Sequence, residues 1–372
     1  MPLKIVYLAA SALPSRGRAN SIQVMMMCEA FVQNGHDVTL LAPDNPERMG
    51  DIDPYAYYGV LPTFRIEWLP WIPLKSRGYV YGWLAARRAR QLRPDLVYGR
   101  SVPGCYCCTL LDLAAILELH DPINEKEWPL KNMFLRMLSR TQLRRVVVTS
   151  KSLARNLRDK YGLTPPLLRV APNGAKAGAL AGEGLVLDKG RLHAGYIGGL
   201  RPGKGMELIA KLTFLTPWAH YHIVGGNPLE IQHWKEQLRE SANITFHGQV
   251  SPAETDRYRH SFDVLLAPYQ RMAGNSRDED LQTPWLSPLK IIEYMAAGKP
   301  ILCSDLPPYR EVLTHGSTAL LCDPDQIDSW VEALQTLREN VHLRETLAKA
   351  ALEEFGKHYT WQSRGRNVLE GI

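Results

Sequence analysis

The sequence predicts an α/β protein of two successive domains, each a parallel, doubly wound sheet covered by helices. Three observations lead there. At 372 residues the chain exceeds what one hydrophobic core ordinarily supports. Short β-branched or aromatic runs alternate with segments whose apolar residues recur at helical spacing, the pattern of repeated β-α units. A Gly-, Ala- and Lys-rich stretch with little to bury, residues 175–190, interrupts that alternation and reads as a linker.

In the first half, residues 4–9 form the opening strand. Ile5, Val6, Tyr7 and Leu8 are short, β-branched and aromatic, as a buried strand requires, and this favours a strand and the cytoplasm over a secretion signal. A loop rich in Ser, Gly and Arg follows at 13–20. Residues 21–33 carry Ile22, Met25, Met26, Ala30 and Phe31 at helical spacing and end on the stop signal Asn34-Gly35. Met25, Met26 and Met27 are read as core rather than ligand contacts. A strand at 38–41 comes next, then a helix at 81–92, a strand at 96–98, a helix at 105–112 and a strand at 115–119 that runs into His120-Asp121. A helix at 131–143, a strand at 146–149 and a helix opened by Ser150 complete the series.

Beyond the linker the rhythm resumes. Strands are expected at 192–197, 219–224, 244–246, 264–267 and 300–303, and helices at 206–212 and 287–297, with 328–353 largely helical. In open α/β sheets ligands bind beyond the carboxyl ends of the strands, so two such domains are expected to enclose a cleft.

Composition narrows the partners. A formal charge of +6 suits an anionic small molecule, or a face resting on an acidic membrane, better than nucleic acid. Cys28, Cys105, Cys107, Cys108, Cys303 and Cys322 show no CxxC pair and read as buried thiols of a reducing compartment. No uncharged apolar run reaches the ~18 residues of a spanning helix; the tract 105–119 is broken by Asp112 and Glu118. The 11 histidines lack HExxH or paired ligand spacing, and no metal is expected.

Two segments carry chemistry. Residues 196–205, Tyr-Ile-Gly-Gly-Leu-Arg-Pro-Gly-Lys-Gly, follow a strand and precede a helix. Their glycines, Gly199 among them, let backbone approach a ligand, and Arg201 and Lys204 add fixed positive charge, a combination suited to a diphosphate. Neither a GxGxxG fingerprint nor the Walker pattern is present. In residues 287–300, Ser287 is a candidate N-cap and Pro288 suits the first helical position. The helix start there offers N–H groups to phosphate, with Leu289 in its first turn a candidate donor contact; Lys290 reinforces it, and Glu293 lies about a turn in, placed to accept hydrogen bonds from a ribose diol.

Over nearly its whole length the chain resembles the retaining glycosyltransferases of family 4, of GT-B fold, in which two Rossmann-like domains face each other across a cleft. Segment 198–205 is similar to the family's diphosphate loop, with Arg201 and Lys204 as its two basic residues. Glu293 with the following Tyr-Met-Ala-Ala-Gly-Lys-Pro-Ile matches the second glutamate of the E-x7-E motif. His120 resembles the histidine that closes the donor sugar site, and Gly17 falls where glycines approach sugar and phosphate. His247-Gly248-Gln249-Val250 resembles the loop that meets the base through backbone groups, and Asn173-Gly174 the end of the first domain. The chain departs from the family at Trp285, where the first glutamate of E-x7-E is expected, and at Ala175, where an acidic residue commonly stands. Asp278, Glu279 or Asp280 are the carboxylates that could serve instead of the missing one.

The resemblance implies domains at 1–178 and 186–355, the segment 356–372 packing back on the first. It implies a hexosyltransferase that moves a sugar with retention from a nucleoside diphosphate sugar, UDP favoured, to a glycan or lipid-linked acceptor in surface or exopolysaccharide synthesis. Arg201, Lys204 and the helix at Ser287 would stabilise the departing diphosphate, His120 would orient the sugar, and neither metal nor resident cofactor is expected. An aromatic and basic stretch, Trp68, Trp71, Tyr79, Tyr81 and Trp83 with Lys75, Arg77, Arg87, Arg88 and Arg90, is the candidate acceptor or membrane face at the inner leaflet. Arg136, Arg140, Arg144 and Arg145 extend it along a helix. The repeated acidic pairs of DxD form (51 and 53, 278 and 280, 323 and 325) are uninformative, and Ser150, Ser152 and Cys303 lack a nucleophile-elbow context. The competing readings are a nucleotide-sugar epimerase or phosphorylase on the same architecture, and a non-catalytic or hydrolytic sugar-nucleotide-binding protein.

Overall fold

Strands buried on both faces need largely apolar side chains, and the central strands of both sheets, such as Lys4–Leu8 and Val264–Ala267, are such runs. The computed structural model describes residues 1–15, 19–46, 48–74, 76–178, 184–271 and 288–372. The chain divides into two units, Met1–Asn173 with Trp361–Ile372, and Gly174–Thr360.

In the first unit the strands are β1 (Lys4–Leu8), β2 (Asp37–Pro43), β3 (Arg65–Leu69), β4 (Leu96–Gly99), β5 (Ala115–Leu119), β6 (Leu143–Val148) and β7 (Leu168–Val170). They pair in the order β3-β2-β1-β4-β5-β6-β7, all parallel. The helices are α1 (Ala19–Gln33), α2 (Pro54–Tyr58), α3 (Arg77–Leu92), α4 (Val102–Leu110), α5 (Trp128–Leu138) and α6 (Lys151–Tyr161). Ile5, Val6, Tyr7 and Leu8 are wholly buried, as are Met25 and Met27 on α1.

The second unit repeats the plan. Its strands are β8 (Leu192–Ile197), β9 (Ala219–Val224), β10 (Ile244–Gly248), β11 (Val264–Ala267), β12 (Ile301–Ser304) and β13 (Leu320–Cys322), with α7 (Met206–Leu215), α8 (Pro228–Gln237), α9 (Thr255–Ser261), α10 (Leu289–Ala296), α11 (Pro307–Arg310), α12 (Ile327–Glu339) and α13 (Val341–His358). The parallel order is β10-β9-β8-β11-β12-β13. In each sheet the winding reverses beside the first strand, between β1 and β4 and between β8 and β11. These are the switch points where α/β sheets leave a crevice at their carboxyl ends.

The last helix, α14 (Trp361–Leu369), belongs to the first unit. It packs so closely on α1 that a Cβ at Gly365 would stand 2.7 Å from Asn34 Nδ2. Arg145, buried in β6, donates to the carbonyls of Val368 and Glu370 at 2.7 and 2.8 Å and ties the same segment down.

Several local expectations are corrected. The helix expected at 131–143 ends at Leu138, and Leu143 already begins β6, so Arg144 and Arg145 lie on a strand. The helix expected from Ser287 begins at Leu289 with Pro288 as its N-cap, because Pro288 has φ −81° but ψ 63°, outside the helical range. The tract at 328–353 is two helices broken at Asn340, whose side chain accepts from the Leu343 N–H at 2.8 Å and caps α13. Strand β3 adds to the expected series, and its Trp68 belongs to the stretch expected as an acceptor face.

Candidate active site

In the second unit the diphosphate-like segment leaves β8 at the switch point. The Gly198 N–H donates to the Val224 carbonyl at 2.8 Å, and a Cβ at Gly225 would fall 2.2 Å from Gly198 O, so β9 holds the turn by backbone contact. Gly205, at φ +107°, begins α7 where a Cβ would lie 2.3 Å from the Pro268 carbonyl oxygen. The Gln270 N–H donates to Gly203 O at 3.1 Å. Gly205 and Gly225 are thus required by a neighbouring loop or strand end rather than by chain flexibility. Gly199 projects into open space and is exposed.

The cations gather over aromatic rings. Lys290 Nζ stands 3.8 Å from the Tyr196 ring centre and 4.9 Å from that of Tyr269, and Lys204 Nζ is 5.4 Å from Tyr269. The Lys290 ammonium is buried and has no hydrogen-bond partner among the described residues. Burial first, then Lys204, push it well below the usual lysine range. Ring faces favour an ammonium group, yet two positive charges sharing Tyr269 are only partly offset. An anion bridging them would supply the missing interaction. Arg201 is exposed at the same loop.

Glu293, one turn into α10, is held by Arg259 of α9, whose Nη2 lies 2.8 Å from Glu293 Oε2. Arg259 is itself buried and also pairs with Asp256. Nothing in the sequence marked Arg259, because its partner is 34 residues away on another helix. Val250 is half-buried against the core of this unit, just past β10, and Leu289 is half-buried in the first turn of α10. The structure therefore brings Arg201, Lys204 and Lys290 together around the loop after β8. Gly17, Lys75, Trp285, Ser287, Asp278, Glu279 and Asp280 lie outside the described residues.

The histidine-rich strands hold a feature that spacing concealed. His193 of β8, His220 and His222 of β9 and His247 of β10 stack across the sheet, with ring centres 4.8 to 5.9 Å apart between neighbours. His193 Nδ1 and His222 Nε2 are 2.9 Å apart, and His222 Nδ1 and His247 Nε2 3.0 Å, so three rings form one hydrogen-bonded row. Among the described residues no group of three His, Cys, Asp or Glu is placed to hold a metal.

In the first unit His120 follows β5 and is half-buried, its Nε2 against the carboxylate of Glu118. Glu118 is 1% exposed and gathers a dense set of partners. Gln23 of α1 and the Tyr98 hydroxyl of β4 both donate to it, and Arg364 Nη2 of α14 lies 3.0 Å from Oε1. Arg100 joins at one remove, Nη1 donating to Gln23 Oε1 at 2.7 Å. Burial alone would raise the Glu118 carboxyl; Arg364, His120 and Arg100 overcome that and hold it well below the usual carboxylate range. Burial, then Arg100, push the His120 ring down to about 4 against the pull of Glu118, so it is neutral at pH 7. In the sequence Glu118 shows only as a charge that breaks an apolar tract.

The candidate acceptor face is revised as well. Tyr81 is buried, its hydroxyl donating to Leu41 O at 2.9 Å, and Arg145 is buried, so neither can meet an acceptor from solvent. Arg88 is paired with Glu67 at 2.7 Å. Arg77, Trp83, Arg87, Arg90, Arg136 and Arg144 remain exposed. All six cysteines are buried and unpaired, and no helix among the described residues is long and apolar enough to cross a membrane.

Residues 21–177 match the family described as Glycosyltransferase Family 4, and residues 183–354 match Glycosyl transferases group 1. A phosphatidyl-myo-inositol mannosyltransferase of Mycolicibacterium smegmatis is 30% identical over 177 residues, 45% of this chain and 41% of that protein. A D-inositol 3-phosphate glycosyltransferase of Rhodococcus erythropolis is 24% identical over 61% of this chain and 52% of its own length. The chain thus spans about half or less of the curated relatives it matches. Among solved structures, HepE of Anabaena in complex with UDP superposes with a TM-score of 0.69 at 14% identity, covering 99% of this chain and 98% of that one. At that identity the likeness is one of fold, two Rossmann-like domains of GT-B type.

Proposed function

The chain belongs to the group 1 glycosyltransferases, and from that premise we propose that it transfers a hexose, with retention, from a nucleoside diphosphate sugar to a glycan or lipid-linked acceptor. The observation that carries this reading is the pair of ammonium groups of Lys204 and Lys290 over the shared Tyr269 ring, the latter buried without a hydrogen-bond partner among the described residues. A diphosphate there gains two charge-assisted contacts and the N–H groups of the first turn of α10. Arg201 adds a third cation from the exposed loop. As the bond from the anomeric carbon to phosphate breaks, these groups stabilise the charge left on the diphosphate. The acceptor oxygen enters from the same face, and its proton passes to the departing phosphate. Glu293 takes the ribose diol, the backbone at Val250 the base, and His120 the transferred sugar. No metal or resident cofactor is required by this scheme.

UDP is the favoured carrier, supported by the fold shared with a UDP-bound protein. Exposed Trp83 with Arg87 and Arg90 further along α3, and exposed Trp128 with Arg136 further along α5, support an acceptor carried by lipid and contact with an anionic inner-membrane surface, in the building of a surface polysaccharide. A thermal-shift screen of UDP-, GDP- and ADP-sugars, followed by a transfer assay with the stabilising donor, tests the reading. A donor that stabilises the protein and is consumed only with acceptor supports it; stabilisation by none of them overturns it.

A further inference from the structure

We propose that Glu118, held by Arg364 from the C-terminal helix, is the positioning residue that fixes the tautomer of His120 and presents its Nδ1 as a hydrogen-bond acceptor to a hydroxyl of the transferred sugar. This rests on the role given to His120 above. The chemistry of the donor set leads there. Glu118 carries an ionised carboxylate, which can only accept, so the imidazole nitrogen against it, Nε2, must donate. A neutral ring has one N–H, and Nδ1 is therefore left with its lone pair. The opposite tautomer would set two acceptors against each other.

The surroundings make the arrangement rigid. Gln23 and Tyr98 donate to the same carboxylate from α1 and β4, and Arg364 compensates its charge. Arg364 is in turn fixed, its Nε donating to the Pro172 carbonyl at 2.9 Å while Nη1 lies 2.9 Å from Met27 Sδ. A wholly buried carboxylate with its own arginine is costly to desolvate, and an apolar pair would fill the space with less penalty. Orienting a neighbour gives this pair a use, as a carboxylate does behind a metal-bound histidine, where its loss costs roughly 10- to 100-fold. Nothing is transferred between Glu118 and His120; the effect is which nitrogen bears the proton and where the ring points.

Nitrogen-15 NMR of histidine-labelled protein reads the tautomer directly and requires no turnover. The wild type is expected to show His120 as a single Nε2–H tautomer, assigned by its loss in His120→Ala. In Glu118→Gln, whose amide can donate as well as accept, the two nitrogens are expected to move toward a tautomer mixture. Transfer kcat should fall about 10- to 100-fold, with the affinity for UDP alone, bound by the second unit, kept within about twofold. Should the single variant misfold around an uncompensated Arg364, Glu118→Gln with Arg364→Met removes both charges and is read the same way. A His120 tautomer unchanged from wild type in the folded variant overturns the proposal. Wild-type protein with the Nε2–H tautomer but no transfer from any donor would instead count against the proposed function alone.

Discussion

Arg259 Nη2 stands 2.8 Å from Glu293 Oε2, a buried guanidinium fixing the carboxylate assigned to the ribose. The pair joins α9 to α10 and orients Glu293 before any ligand arrives. Glu293→Gln keeps the shape and leaves Arg259 its second partner, Asp256. Losing a charge-assisted hydrogen bond of about 1.5–3 kcal/mol should raise the donor KM roughly 10- to 100-fold with a smaller change in kcat. Steady-state kinetics on the donor identified by the screen measures this; an unchanged KM removes Glu293 from the donor site.

Lys290 and Lys204 oppose one another until an anion binds. Lys290→Met replaces a buried ammonium that has no hydrogen-bond partner among the described residues by an apolar chain of similar length, so the ligand-free protein should melt at a higher temperature than wild type. The same change should abolish stabilisation by UDP. Melting curves with and without UDP decide it, and a ligand-free protein that melts lower would contradict the account of the site.

Lys204→Ala should lower kcat by about a hundredfold, the scale of removing one donor to a charge that develops in the transition state. Near-normal turnover in this variant would refute the role given to the loop after β8.

The histidine row sets an acid limit on stability. Burial, then the neighbouring rings of His220, His247 and His193, push His222 down to about 3 from an ordinary value of 6.5, and His220 and His247 are lowered in the same sense. The unfolded chain therefore binds more protons than the folded one below pH 6.5, and stability falls as pH drops from about 6.5 toward 3. Melting temperatures from pH 7.5 to 4.5 should decline for the wild type and more shallowly for His222→Gln. Parallel curves would show that the row does not titrate on unfolding.

Gly205→Ala should destabilise the protein by about 1–3 kcal/mol, since the backbone is at φ +107° and the new Cβ would meet the Pro268 carbonyl oxygen. Denaturant midpoints check the stability. A variant as stable as wild type would mean that the contact with Pro268 relaxes freely.

What the sequence determined by itself was the local and periodic part. Ile5 to Leu8 announce a buried strand, and 198–205 announce backbone shaped to approach an anion, because strand burial and glycine geometry are properties of adjacent residues. Lys290 and Glu293 were legible for the same reason, both lying within two turns of a marked helix start. The tertiary structure alone decided which distant groups meet. Glu118 read as an interruption of an apolar tract until Gln23, Tyr98 and Arg364 surrounded it, the last 246 residues away along the chain. Arg259 carried no motif, and His193, His222 and His247 of the row carry no ligand spacing because they are neighbours across parallel strands, where register and not sequence distance sets proximity. Buried charge must find a partner somewhere in the fold, and only the packed chain says where.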